Sequence, residues 1–135
     1  MQRERPLLHS IVMCDHVYRD AGSGKFYLLG TFTNMMVREF PGISPQIGFY
    51  ISASHWITEQ HLNIHVVKES IDVIVKMPGI LVPKQEHNVK IEFGGNLPPF
   101  PIKEAGRYGI QVLAGLELIH EFPFQVNGLP GSIGG

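Results

Sequence analysis

The sequence predicts a single all-β domain: an antiparallel β-sandwich of about eight strands, immunoglobulin-like in general architecture. Three observations lead there. Apolar residues alternate with a period of two in one run after another. Fifteen glycines and ten prolines recur along the 135 residues and leave few stretches long enough for an ordinary helix. The one stretch whose spacing also suits a helix is dominated by β-branched residues, which favour strands. Length and composition agree, since a chain of this size holds one core and its 44% hydrophobic residues can offset the entropy of ordering it.

The first strand is expected from Leu8 to Tyr18, leading into Asp20-Ala21-Gly22-Ser23-Gly24, whose glycines suit a tight reversal. Phe26 to Val37 returns as one strand with bulk on both faces, as in a central position. After Phe40-Pro41-Gly42 and Pro45, the residues Ile47, Phe49, Ile51 and Ala53 alternate with smaller or more polar neighbours. Between Thr58 and Met77, Ile64, Val67, Ile71 and Ile74 fall at helical spacing. Two strands around a turn at Lys68-Glu69-Ser70 compete with that helix and are preferred. Val89, Ile91 and Phe93 form a further run that stops at Gly94-Gly95-Asn96, and the prolines of Leu97-Pro98-Pro99-Phe100-Pro101 confine that stretch to an edge. Tyr108 to Val112, a turn at Ala114-Gly115, and Leu116 to Val126 make a C-terminal hairpin. The domain therefore spans 1–126, with 127–135 as a Gly-rich tail that stays flexible unless a partner holds it.

Eleven Lys and Arg against twelve Asp and Glu give a formal charge of -1, so no net positive field draws nucleic acid or anionic lipid. Cys14, the single cysteine, permits neither a disulfide within the chain nor a multi-cysteine zinc site, and a reducing cytoplasm fits it best. The apolar stretch Leu7 to Cys14 is too short and too polar for a bilayer span and lacks a signal-peptide cleavage pattern.

Several strings occur in a recognisable order: Cys14-Asp15-His16-Val17, Gly24-Lys25, Leu29-Gly30-Thr31-Phe32, Phe40-Pro41, and Ala105-Gly106-Arg107-Tyr108-Gly109 through Gly115. Together they resemble an uncharacterised bacterial β-sandwich family over about Leu8 to Val126. The resemblance implies a β-sandwich and carries no catalytic or binding residues. The sequence departs from that family's pattern between about His55 and Met77, where His55-Trp56-Ile57-Thr58-Glu59-Gln60-His61 replaces a polar, Gly-containing turn.

Candidate chemistry fails on geometry. Gly22-Ser23-Gly24-Lys25 lacks the first glycine, the hydroxyl residue and the helix of a phosphate loop, with Arg19 and Phe26 in two of those places. Seven histidines invite a metal, yet His61 and His65 on a strand lie roughly 13 Å apart. Cys14 and His16 share a strand face, but a small buried thiol beside a solvated imidazole is the commoner arrangement. Ser54 and His55 point to opposite faces of a strand, so they make no catalytic pair. Met35-Met36 suits either a core gap or a contact surface, and Tyr108 suits a hydroxyl bonded to nearby backbone.

No catalytic residue, metal or cofactor is therefore assigned. The expected function is a non-catalytic protein-interaction or structural module that self-associates or docks a protein partner through a loop end or an edge strand. The alternative is a small-molecule or carbohydrate site on the loop carrying His55, Trp56 and His61, which needs Trp56 as an exposed anchor, whereas the preferred reading of Trp56 is that it closes one end of the sandwich core. A hydrolytic enzyme stands third.

Overall fold

A computed structural model describes residues 5–133, and every regular element among them is a strand. β1 (Leu7–Arg19) lies between β2 (Phe26–Thr31) and β5 (Ile47–Ser54), and β9 (Ile91–Leu97) completes this first sheet in the order β2-β1-β5-β9. The second sheet contains β3 (Asn34–Glu39), β12 (Glu117–Ile133), β11 (Gly106–Ala114), β6 (Gln60–Lys68) and β7 (Asp72–Lys76), in that order. β8 (Ile80–Val82) continues the line of β7 along β6, while β4 (Gly42–Ile43) and β10 (Pro101–Ile102) pair with each other.

Both sheets bury their alternating apolar residues in one cluster. Met13, Phe49, Ile51 and Leu97 come from the first sheet and meet Ile64, Val66, Ile110, Val112 and Phe124 from the second. Each fully buried side chain of this kind stabilises the fold by about 1.5–3 kcal/mol relative to exposure. Period-two patterning thus becomes a shared core.

The count of about eight strands is corrected to twelve among the described residues. One cause is Gly30, which takes a φ of +70° with the Asp15 carboxylate packed so closely that a Cβ there would lie 2.3 Å from it. The expected strand from Phe26 to Val37 breaks after this point: β2 ends at Thr31, and β3 joins the other sheet. The remaining additions, β4, β8 and β10, are two- or three-residue strands in Pro- and Gly-rich stretches. A purely antiparallel arrangement is corrected as well, because β12 runs parallel to β3. The same pairing extends past Val126. Asn127, Gly128 and Ile133 pair with β3, so β12 continues into the expected tail; its last two residues, 134–135, lie outside the described ones.

The stretch from Thr58 to Met77 forms strands β6 and β7, joined at Glu69 and Ser70, whose φ values of 54° and 60° no α-helix contains. The C-terminal hairpin pairs from Gly106↔Val126 to Ala114↔Glu117, with Gly115 at a φ of 62° in the turn.

Candidate functional site

β1 has thirteen residues but aligns with β5 only as far as Cys14↔Gly48. Beyond that point its Val17 comes over β5 and β9. Gly48 permits the approach, since a Cβ there would lie 2.9 Å from the Val17 nitrogen. Asn96 of β9 then holds the arm: its Oδ1 accepts from the Val17 amide at 3.0 Å and its Nδ2 donates to the Val17 carbonyl at 3.2 Å. Phe26 of β2 meets Tyr50 edge-on at 5.6 Å, and a Cβ on Gly94 would collide with the Phe26 ring. Arg19 lies over the same ring at 5.1 Å. The glycines at 48 and 94 are thus the places where an arm made of β2 and the end of β1 rests on the sheet.

This arm walls one side of a groove. Among the described residues, β9 has a strand neighbour on one side only, and five consecutive residues, Glu92 to Asn96, line a cavity of about 240 Å³ along it. Val17, Arg19 and Phe26 border it from the arm, Ile80 borders it from β8, and Phe49 and Phe93 belong to its lining. The groove therefore runs between the edges of the two sheets and reaches residues of the core. Tyr50 donates its hydroxyl to Glu92 at the rim; burial, and then the bond to that carboxylate, push the tyrosine's pKa up.

The loop expected to carry a binding site is arranged differently. Trp56 is 1% exposed, donates from Nε1 to the Val82 carbonyl at 3.3 Å and packs near Phe93, with ring centroids 6.3 Å apart. It closes the core, as the preferred reading of its sequence position has it, and offers no ring to solvent, which removes the exposed anchor of the alternative. His55, at a φ of 60°, sits with its ring 4.7 Å from that of His87, and its amide donates to the His87 carbonyl. His61 is exposed on β6, with its carbonyl accepting from the Gly115 amide at the C-terminal hairpin turn. A cavity of about 750 Å³ lies beside this region, lined by Ile57 and residues 84–89, and none of His55, Trp56 and His61 lines it.

Other candidates resolve locally. The Asp20–Gly24 segment is a hairpin turn, with the Gly24 amide on the Asp20 carbonyl and the Asp20 side chain accepting from the Ser23 amide. Cys14 is fully buried and donates to the His16 carbonyl, and burial raises its thiol pKa, which keeps it protonated. His16 bonds Gln46 through Nδ1. Met35 fills the core while Met36 is exposed, and Tyr108 donates its hydroxyl to the Glu104 carbonyl at 2.8 Å. Among the described residues, no three His, Cys, Asp or Glu side chains gather as a metal site requires, and no helix is long and apolar enough to cross a membrane.

Sequence reasoning missed two arrangements. Ser54 pairs across the sheet with His9, 2.6 Å from Nε2 to Oγ, because β1 slips register between Leu8 and Ser10. Nothing in the sequence marks that bulge. The groove was missed because Gly94-Gly95-Asn96 was expected to stop the strand; in fact β9 continues to Leu97. A glycine pair inside an alternating run is the signal that could have found it, since interior glycines mark close backbone approach.

Together these features define an all-β domain with a groove along one open strand edge. A sequence profile for a family of unknown function (DUF6941) matches residues 9–127, and the chain belongs to that family. No curated protein matches the sequence.

Proposed function

We propose that this domain is a non-catalytic protein-interaction module that accepts an extended segment along the free edge of β9. The observation that carries the proposal is the groove itself: five successive residues of a strand paired on one side only, with Phe49 and Phe93 lining it. An added strand gains backbone hydrogen bonds from the edge, and alternate side chains enter the apolar lining. We read the two sheets as an immunoglobulin-like sandwich that is joined through the turn from β2 to β3 on one side and open between β9 and β8 on the other. The small-molecule or carbohydrate alternative is weaker, because the indole needed for stacking lies in the core.

A phage-displayed library of extended peptides selected on the folded domain tests the proposal, with amide exchange read residue by residue. Selected peptides are expected to slow exchange of the β9 amides and to lose affinity when Ile80→Lys places an ammonium at the groove. Peptides that bind but protect other strands, or a library that yields no binder, would sink it.

A further inference from the structure

We infer that the occupant of this groove is β9 of a second copy of the chain, paired antiparallel about Gly94; the inference rests on the strand-addition reading above. Antiparallel pairing centred on Gly94 sets each residue opposite a residue on the same face of the joined sheet. Phe93 then faces Gly95 of the second copy, Glu92 faces Asn96, and Ile91 faces Leu97. The chain already uses this device internally, for Phe49 stands opposite Gly95 and Tyr50 opposite Gly94 across β5 and β9. An aromatic ring beside a strand glycine covers the gap that the missing side chain leaves.

Charge selects the same edge and the same centre. The free edges of the second sheet carry charges, Arg38 and Glu39 on β3 and Asp72 and Lys76 on β7, which discourage edge pairing. β2 bends at Gly30, whose positive φ interrupts a regular ladder. β9 holds a single charge, Glu92. A pairing centred on Glu92 would oppose two carboxylates, whereas centring on Gly94 offers each carboxylate an amide and keeps the two acids about 14 Å apart. The result is a continuous eight-stranded sheet. Its two-fold axis is perpendicular to that sheet, so both β8 edges lie on one side, where Ile80 and Leu81 are 49% and 54% exposed.

Sedimentation equilibrium from about 1 µM to 1 mM should show a monomer–dimer equilibrium; a strict monomer throughout overturns the inference. In the dimer, a spin label on Lys90→Cys reads the register, since buried Cys14 is shielded from labelling. Eight residues of offset along the paired strands predict a separation of about 27 Å between labels, and a clearly different distance overturns the pairing about Gly94. Gly95→Lys is expected to abolish the dimer at concentrations where the parent forms it, with an unchanged circular dichroism spectrum. If that variant fails to fold, Ile80→Lys replaces it, and a dimer that survives Ile80→Lys counts against the inference. Selected peptides that protect β9 of a strictly monomeric protein would overturn this inference alone; β9 amides protected by neither peptide nor copy would overturn the strand-addition reading too.

Discussion

β11 and β9 are strands of similar length with opposite surroundings. β11 pairs with β6 on one side and β12 on the other, and its Tyr108, Ile110, Val112 and Ala114 are all buried. Among the described residues β9 pairs with β5 alone, and only Leu97 among its apolar side chains is fully buried. The difference separates two tasks. A strand paired on both sides has its backbone groups satisfied within the sheet and spends its side chains on the core. A strand at the open edge keeps a row of backbone donors and acceptors for another chain, and here its polar side chains hold other parts of the fold: Asn96 fixes the arm and Glu92 takes the Tyr50 hydroxyl.

The comparison can be broken most severely at its centre. Ile110→Ala leaves a cavity between the two sheets and should cost about 2–5 kcal/mol of global stability, read as a lower urea midpoint at unchanged slope. A loss under about 1 kcal/mol would show that β11 does not anchor the core. Asn96→Ala at the edge should cost less, about 1–3 kcal/mol, by stripping both side-chain bonds from Val17. Its signature is local: the Val17 amide should exchange much faster while β11 amides keep their protection. Uniform acceleration across both strands would mean that the arm and the core unfold together.

The smallest effect is one of pH, on the outer side of the second sheet. Burial, and then the Lys76 ammonium opposite it, lower the pKa of His65 below its ordinary 6.5. The unfolded chain therefore binds a proton more readily than the folded one. That contribution to stability is whole above pH 6.5 and declines as pH falls through that value. His65→Gln should flatten the slope of stability against pH just below 6.5, and an unchanged slope would exclude His65 as its source.

The contrast also explains what the sequence made legible. β11 and β12 were readable because burial on one face imposes a strict alternation from Tyr108 to Val112, and the turn needs a residue that tolerates the positive φ of Gly115. Tyr108 was readable for the same local reason, since its hydroxyl partner is only four residues away. The groove depends on contacts distant in sequence, with Val17 and Asn96 79 residues apart, and on glycines whose space is filled by another segment. Locally, Gly94-Gly95 has the composition of a turn. For Trp56 the sequence left two readings, a core position and an exposed anchor, and its bond to the Val82 carbonyl 26 residues away goes with the core position that was preferred. The bend at Gly30 was hidden because apolar residues continue on both sides of it.

The parallel pairing of β12 with β3 carries a consequence for timing. Asn34 and Gln125, the first residues paired between them, are about 90 positions apart, a loop whose closure slows folding. A ribosome adding about 5–20 residues per second needs on the order of ten seconds to make that span. Throughout this interval Met35 and Val37, which end in the core, have no β12 to pair beside. A nascent chain stalled before residue 117 should therefore display β3 to chaperones, and one released after residue 133 should conceal it.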